Sequence, residues 1–350
     1  MSRQSVLLLF GGESSEHDVS VSSARNVYAA IDNAKFDVIL GYIDRHGKWW
    51  LLERFEEEVS THGALQLAPV LGSNGFITIP SSRVITPDVI LPILHGKNGE
   101  DGSVQGLGQL LHIPVVGCDM TASAICMDKL ATKEILITRH IPVVPYESHR
   151  KGAPMPDFNH LNVQLGSPLF VKPSRAGSSV GVSKVYSDDE LVAALELAHE
   201  HDDVALIEQA ITARELEVAV LGNPPHHKAS VVGEILPGED FYSYEDKYSS
   251  TSTSSVAIPA NIDEQTMTMI QKMACDIYEI LGCRGLARVD FFLDENNKLY
   301  LNEVNTLPGF TNISMYPKLW RHDGLMYPAL IEALISAAFQ PKIETELTEE

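Results

Sequence analysis

The sequence predicts an α/β protein in which short buried strands alternate with helices. The apolar run Val6–Phe10 stops at Gly11 and Gly12, and a helix is predicted from about Val19. A buried strand, a glycine turn and a helix in this order are typical of parallel sheets, with a site at the strand's carboxyl end. Further strands are predicted at Phe36–Ile43, Gly75–Ile79 and Val89–Leu94, and residues 54–73 are expected to form a loop region.

Composition and charge narrow the class of protein. With 350 residues, of which 44% are hydrophobic and 21% charged, the chain has enough core for two or three globular domains. The net charge of -21 argues against a nucleic-acid or anionic-membrane partner, because basic patches bind those surfaces. The four cysteines form no CxxC pair, and Val6–Phe10 is too short for a signal or a membrane span. We therefore expect a cytoplasmic protein.

The first glycine turn carries a candidate substrate-binding carboxylate, Glu16. The G-x-G-x-x-G spacing of a dinucleotide site is absent, and a carboxylate here suits an amino group better than a pyrophosphate. A helix-capping role for Glu16 is an equally good interpretation from these residues alone.

A second glycine-rich loop begins at His95, directly after a predicted strand. The stretch HGKNGEDG leads to a predicted helix near Asp101 or Ser103, which indicates the flexible edge of a binding site. Its density of glycine and charged residues is unusual for a simple turn. For His95 alone, a structural histidine remains the alternative.

The chain changes character at Met127, after which two lysines lead to a phosphate-binding pattern. Lys129 lies near the start of a predicted helix, where the helix dipole disfavours lysine, although simple solvation would also explain it. Lys172 ends a strand, and the loop RAGSSVG follows it. Small residues let backbone amides approach phosphate oxygens, so we predict a mobile hairpin over a triphosphate rather than a Walker A loop. An exposed flexible hairpin is the alternative.

Later segments supply further candidates for a nucleotide cleft. Glu208, at a strand end, could accept from an adenine amino group, and Glu215 could accept from ribose hydroxyls; Glu217 shares its strand face. Glu208 and Glu215 could instead be ordinary surface carboxylates. The polar segment Gly238–Ser255 is long for a compact domain, which suggests an active-site lid with Lys247 and Tyr248.

Residues 281–309 are predicted to form a hairpin with a polar inner face. Arg288 and Asp290 share one face of the first strand, and Glu303 and Asn305 share one face of the second. The other positions are largely apolar, so burying these four polar groups without a partner would be costly.

A two-residue loop at Asn296–Asn297 would place Asp290 opposite Glu303, and Arg288 opposite Asn305. Two carboxylates and an amide carbonyl are hard oxygen ligands, which indicates magnesium held together with phosphate oxygens. Arg288 beside the metal could stabilise a developing oxyanion. A surface hairpin with cross-strand ion pairs is the alternative.

Five stretches together resemble the D-alanine:D-alanine ligases of the ATP-grasp superfamily. They are GGESSEHDVS (11–20), HGKNGEDGSVQG (95–106), VKPSRAGSSVG (171–181), GLARVDFFLD (285–294) and LNEVNTLPG (301–309). The resemblance implies three α/β domains, which we place at residues 1–126, 127–221 and 222–350, with an N-terminal parallel sheet and with ATP held between the second and third domains. It also implies that ATP phosphorylates one D-alanine, and that the amine of a second D-alanine attacks the acyl phosphate.

The resemblance further implies roles for individual residues. Glu16, Ser178 and Tyr248 would surround the amino acids, with His95 also contacting substrate and Ser314 holding the second carboxylate. Arg288 and the amide of Gly309 would hold the tetrahedral oxyanion. The residues implied for ATP are Lys129, Lys172, Ser178, Ser179, Glu208, Glu215, Lys247, Phe292 and Asn302. Asp290, Glu303 and Asn305 would bind two Mg²⁺ ions, with Mn²⁺ as a possible substitute.

Substrate choice and assembly are also expectations from resemblance. Similar ligases that use D-lactate carry histidine where this chain has Tyr248, which favours D-alanine as the acceptor. A homodimer is expected. The alternatives are another ATP-grasp carboxylate–amine ligase with a different donor or acceptor, and a noncatalytic nucleotide-binding regulator that has lost a metal ligand or Arg288.

Overall fold

The computed structural model describes residues 3–178, 180–236, 255–311 and 313–340. Within these residues the strands form three sheets, of seven, four and five strands in chain order. Each sheet has helices packed against it.

The first sheet is built around a parallel core. Its strands are β1 (Gln4–Gly11), β2 (Phe36–Ile43), β3 (Trp49–Leu52), β4 (Leu65–Val70), β5 (Gly75–Ile79), β6 (Val84–Ile85) and β7 (Val89–Ile93). β1 pairs in parallel with β2 on one side and with β7 on the other, and β3 to β6 extend the sheet in antiparallel fashion. Helices α1 (His17–Ala30) and α2 (Ser103–Leu111) follow β1 and β7. Both helices therefore begin near the carboxyl ends of parallel strands, β1 inside the sheet and β7 at its edge.

The predicted strands of this sheet are confirmed, whereas the start of one predicted helix is two residues out and one predicted loop is wrong. Helix α1 begins at His17 rather than at Val19, because the buried His17 already belongs to its first turn. The predicted loop region 54–73 contains β4, which pairs with β3 and β5. β4 is only partly buried and includes Pro69, and a proline weakens the pattern by which a strand is detected.

The second sheet is antiparallel and has its own core. It contains β8 (Tyr146–Arg150), β9 (Leu169–Pro173), β10 (Ser183–Val185) and β11 (Val204–Gln209), in the order β10-β9-β11-β8. Helices α5 (Phe158–Leu165) and α6 (Asp188–His201) bury their apolar side chains in one cluster with these strands. The hairpin predicted around Lys172 is confirmed as β9 and β10.

The third sheet contains the polar hairpin. Its strands are β12 (Ala213–Leu221), β13 (Lys228–Leu236), β14 (Ser255–Ala257), β15 (Leu286–Asp294) and β16 (Leu299–Asn305), in the order β14-β13-β12-β15-β16. Helix α7 (Glu264–Ile280) packs against β13 and β12. The sheet thus begins at Ala213, and the domain boundaries at residues 126 and 221 remain predictions.

Four helices connect or cover the sheets. They are α3 (Met120–Met127), α4 (Lys129–Thr138), α8 (Met315–His322) and α9 (Tyr327–Ala338). The Asp128 side chain accepts from the backbone amides of Leu130 and Ala131 and so fixes the start of α4. Side chains of α8 and α9, including the buried Trp320 and Leu334, join the first and third sheets in one apolar cluster. The second sheet has a separate apolar cluster and faces the joined first and third sheets.

Gly117, between α2 and α3, lies close to Gly285, which directly precedes β15 of the third sheet. A substitution at Gly285 tests this contact. Gly285 has a φ of +68°, and an added Cβ would lie 2.9 Å from the Cα of Gly117. Gly285→Ala should lower the free energy of unfolding by about 2–4 kcal/mol, through left-handed strain and overpacking. Gly282→Ala is the matched control, because Gly282 has a φ of +72° with nothing within 4 Å of its added Cβ. Equal losses for the two variants in urea unfolding would contradict this account.

Candidate active site

The hairpin of β15 and β16 brings the predicted polar residues onto one face. Asp290 lies opposite Glu303, and Arg288 lies opposite Asn305, which confirms the predicted register. Each pair comes from adjacent antiparallel strands, so the four side chains occupy a small area of the third sheet.

The predicted two-residue loop is wrong, although the register that it implied is right. The Asp294 amide donates to the Lys298 carbonyl, so three residues form the turn, and Asn297 has a φ of +58°. A turn of three residues, instead of two, shifts the pairing of the two strands by one residue. The shift is reversed between Asp290 and Phe291, where Asn302 is an extra residue in β16 and forms a β-bulge.

Arg288 is the centre of a buried ion-pair cluster. Its Nε and Nη2 atoms each donate to an Asp290 carboxylate oxygen at 2.7 Å, and Nε lies 3.1 Å from Oε2 of Glu217. The Asn305 side-chain amide donates to Asp290 Oδ2 at 2.8 Å. Burial opposes the charged form of Arg288, but Asp290 and Glu217 outweigh it and hold the pKa of the guanidinium well above its usual value. Arg288 is therefore a permanent cation.

Helix α4 presents two lysines, one turn apart, to the interior. Lys129 Nζ lies 3.4 Å from Glu303 Oε2 and donates to the Ala176 carbonyl at 2.8 Å. Lys133 Nζ lies 2.9 Å from Glu208 Oε1. Lys133 was not predicted as a site residue, because a lysine in a helix is usually solvated; its spacing of four residues from Lys129 was the available signal.

Glu208 is held by a lysine on each side. It is 4% exposed, and its oxygens lie 2.9 Å from Lys133 Nζ and 2.7 Å from Lys172 Nζ. Burial would raise the pKa of Glu208, but Lys172 and Lys133 outweigh that effect and lower it. The alternative that Glu208 is a surface carboxylate is therefore wrong.

One hydrogen bond joins the first glycine turn to the predicted phosphate loop. Ser178 Oγ donates to Glu16 Oε1 at 2.5 Å. Glu16 occupies the N-cap position of α1, but its side chain makes no capping hydrogen bond, so the capping interpretation is wrong. Glu16 is 8% exposed and points across to the second sheet's hairpin.

A cavity of about 770 Å³ opens between the second and third sheets. Its walls include these predicted site residues: Lys129, Lys172, Ser178, Glu208, Glu215, Phe292, Asn302 and Glu303. The volume is in the range of small-molecule and cofactor sites. Lysines together with a lining that mixes polar side chains, such as Glu215, with apolar ones, such as Phe292, suit a phosphorylated ligand with a flat base.

His95 and the loop after β16 lie beside the polar cluster. His95 Nδ1 lies 3.0 Å from the Leu307 carbonyl and Nε2 lies 3.5 Å from Ser23 Oγ, so protein groups contact both ring nitrogens. Burial lowers the pKa of His95. In the same loop, a Cβ added to Gly309 would lie 2.9 Å from Ser314 Oγ. The structure thus brings Gly309 and Ser314 together.

The donor set of the hairpin fits a hard divalent cation. Asp290 and Glu303 are paired across the strands, and the Asn305 carboxamide adjoins Asp290. Among the described residues, no group of three or more His, Cys, Asp or Glu side chains could hold a metal ion. Two carboxylates and an amide would therefore depend on water and phosphate oxygens to complete the coordination, as Mg²⁺ commonly does.

Family models match most of the chain. The model described as "D-ala D-ala ligase N-terminus" matches residues 5–118, and "D-ala D-ala ligase C-terminus" matches residues 135–336. The chain belongs to the D-alanine–D-alanine ligase family. A D-alanine–D-alanine ligase of Sodalis glossinidius is 45% identical over 349 residues, covering 96% of this chain and 95% of the relative.

Solved structures of family members have the same fold. The D-alanine–D-alanine ligase from Coxiella burnetii is 34% identical, with a TM-score of 0.87 over 97% of this chain and 94% of that chain. The VanG D-Ala:D-Ser ligase from Enterococcus faecalis is 36% identical, with a TM-score of 0.86 over 96% of this chain and 100% of that one. The predicted α/β ATP-grasp fold is confirmed. Within the described part of the chain, no helix has the length and apolar character needed to cross a membrane.

Three predicted ligase site residues, Ser179, Lys247 and Tyr248, lie outside the described residues. The predicted lid Gly238–Ser255 also lies outside them, except for its last residue. These assignments remain predictions.

A further acidic group, Glu100, lies near Glu16, and no individual role was assigned to it from sequence. The Gly96 amide donates to Glu100 Oε2 at 2.8 Å, and a Cβ on Gly96 would lie 3.1 Å from Glu16 Oε2. Burial, and then the charge of Glu16, raise the pKa of Glu100 to about 8. The density of the loop HGKNGEDG was the only sequence signal for this residue.

A carboxyl with a raised pKa makes stability depend on pH. The unfolded chain loses this proton near the ordinary glutamate pKa of 4.5, and the folded protein loses it near 8, so the contribution of Glu100 to stability falls as pH rises between these values. We therefore compare the free energies of unfolding of Glu100→Gln and the wild type. The difference should shift in favour of the variant by roughly 1 kcal/mol or more when the pH is raised from 5 to 8.5. Urea unfolding at both pH values measures this. Glu295→Gln, in the exposed turn of the hairpin, is the control that should show no such gain.

Proposed function

We propose that this protein uses ATP to join two D-alanine molecules, giving D-alanyl-D-alanine, ADP and phosphate for peptidoglycan synthesis. Family membership over nearly the whole chain supports the reaction. The observation that carries the proposal is the convergence of Arg288, Asp290, Glu303 and Asn305 on one face beside the large cavity. A regulator that had lost its metal ligands would lack this set.

We propose that ATP occupies the cavity between the second and third sheets. Lys129 and Lys172 supply positive charge for the phosphates, together with Ser178, Ser179 and Lys247 of the two loops. Phe292 and Asn302 contribute to the wall around the nucleotide, and Glu215 accepts from the ribose. Glu208 accepts from the adenine amino group. The cavity lining supports these roles for the described residues.

Asp290, Glu303 and Asn305 are the residues that would hold one or two Mg²⁺ ions, or Mn²⁺ as a substitute. When bound, the metal supplies neutralisation of the charge that develops on the transferring phosphoryl group. The oxygen donor set supports this choice of metal.

The amino acids would bind between Glu16 and the loop after β16. Glu16 holds the ammonium of the first D-alanine. Ser178 fixes the Glu16 carboxylate by donating a hydrogen bond to it. Ser314 holds the second substrate's carboxylate, and Tyr248 closes the site from the lid. His95, held between α1 and the loop after β16, shapes the wall at the first substrate.

The proposed reaction has two steps. A carboxylate oxygen of the first D-alanine attacks the γ-phosphorus of ATP, the bond from that phosphorus to ADP breaks, and an acyl phosphate and ADP are formed. The neutral amine of the second D-alanine then attacks the acyl carbon, the bond from that carbon to the phosphate oxygen breaks, and the amine nitrogen loses one proton, which the departing phosphate can accept, as the peptide bond forms. Arg288 and the backbone amide of Gly309 are placed to stabilise the oxyanion of the tetrahedral intermediate.

The acceptor, the assembly and the location are part of this proposal. The similarity to VanG, a D-Ala:D-Ser ligase, makes D-serine the second candidate acceptor. We propose D-alanine as the acceptor, because of Tyr248 in the lid sequence. The enzyme is proposed to act in the cytoplasm as a homodimer.

The reaction is tested by ADP release with ATP and magnesium. D-alanine, L-alanine, D-serine and D-lactate are supplied singly and in pairs, and products are identified by mass. We expect release that depends on D-alanine, with D-alanyl-D-alanine as the product. If a product of D-alanine with D-serine or D-lactate forms in preference to D-alanyl-D-alanine, the assignment of D-alanine as the acceptor is wrong. If no substrate gives ADP release, a nucleotide-binding regulator is favoured.

The metal assignment is tested by Asp290→Asn and Glu303→Gln. Each removes a charged ligand without removing apolar core, so the protein should still fold while turnover falls at least roughly 100-fold. Asp290→Asn should lose more thermal stability than Glu303→Gln, because Asp290 is the bidentate partner of the buried Arg288. Turnover is measured across a magnesium titration, with Glu295→Gln as a control that should behave as wild type. Near-normal turnover of either variant at limiting magnesium would refute the assignment.

A further inference from the structure

Lys133 is a fully buried cation for which the proposed reaction has no role. It is 1% exposed, and its Nζ donates to the Val144 carbonyl at 3.2 Å and lies 5.3 Å from the centre of the Tyr146 ring. Its third contact is Glu208 Oε1 at 2.9 Å. Burying an ammonium is costly unless its partners repay the lost hydration, so this placement points to a function that depends on Glu208.

Glu208 has two cationic partners with different surroundings. Lys133 is enclosed between α4 and the second sheet, whereas Lys172 lines the cavity beside the predicted phosphate loop. The other titratable group facing this carboxylate is the phenol of Tyr146 on β8, whose pKa is raised by burial and by neighbouring carboxylates, Glu208 among them. Lys172 Nζ lies 2.7 Å from Glu208 Oε2.

Nucleotide binding would give the two lysines different partners. A triphosphate attracts Lys172 more strongly than one carboxylate does, because it carries several charged oxygens. Once Lys172 is engaged by phosphate, Lys133 is the cation that stays on Glu208. A buried carboxylate without such a cation would take up a proton and become a hydrogen-bond donor on one oxygen.

We propose that Lys133 is a positioning residue for recognition of the nucleobase: it keeps Glu208 charged and fixed, so that Glu208 accepts from the 6-amino group of adenine. This inference rests on the proposed ATP site. A charged Glu208 rejects a base with a carbonyl at position 6, because two acceptors would then face each other. Lys133 thereby sets the preference for ATP over a 6-oxo nucleotide such as inosine triphosphate.

The test compares ATP with inosine triphosphate, which differs from it in the group at position 6. In Lys133→Met, the KM for ATP should rise roughly 10- to 100-fold, and the ratio of kcat/KM for ATP over inosine triphosphate should fall about tenfold. kcat at saturating ATP should change much less than KM. Lys133→Arg, which keeps the charge, should restore most of the preference, and Lys272→Met, at an exposed helix position, should match the wild type.

A merely structural role would give a different pattern. Loss of Lys133 would then weaken both nucleotides equally and leave their ratio unchanged, which would overturn the proposal. In a Glu208→Gln background, Lys133→Met should not lower the ratio further, because its route of action is gone; an additive loss would also contradict the proposal. If Lys133→Met does not fold, Glu208→Gln alone must still lose the preference.

Failure of the proposed reaction is distinguishable from failure of this inference. Calorimetric binding of each nucleotide, without amino acids, reports the preference even if no ADP is released. A wild type that binds ATP over inosine triphosphate but ligates nothing would refute the reaction alone. A wild type that binds both equally would refute the role of Lys133.

Discussion

The site depends on the neutralisation of buried carboxylates in a chain whose net charge is -21. Arg288 forms ion pairs with both Asp290 and Glu217 and so offsets part of their negative charge. The lysines of α4 do the same for Glu303 and Glu208. Because a buried carboxylate without a cation tends to take up a proton, these few cations decide which acidic groups are charged ligands and acceptors. The glycine loops and strands mainly position the carboxylates and cations that form these ion pairs.

The arrangement of the cores explains where the cleft lies. The first and third sheets share an apolar cluster through α8 and α9, whereas the second sheet has its own. Polar contacts span the seam, among them Ser178 with Glu16 and Lys129 with the Ala176 carbonyl. Such contacts are directional and exchangeable with ligand groups, unlike packed apolar surface. A nucleotide can therefore enter at this seam without disrupting either core.

Much of the fold and the site could be predicted because the relevant signals are local. Alternation along β15 and β16 was enough to place Arg288 and Asp290 on one face. The long-range partners were out of reach: the spacing of four residues from Lys129 does not reveal that Lys133 is buried against Glu208, and the raised pKa of Glu100 follows from burial and Glu16. β4 was missed because partial burial and a proline hide its alternation. Roles in substrate binding came from resemblance and remain untested by the geometry.

The bulge at Asn302 separates the hairpin into two parts with independent registers. Between the bulge and the turn, Leu293 pairs with Leu299; on the other side, Asp290 pairs with Glu303. A change in the length of the turn can be absorbed at the bulge, so it need not slide one ligand past the other. The tip of this hairpin is thus a place where evolution can insert or delete residues at little cost, and where a short peptide label should disturb the paired ligands little.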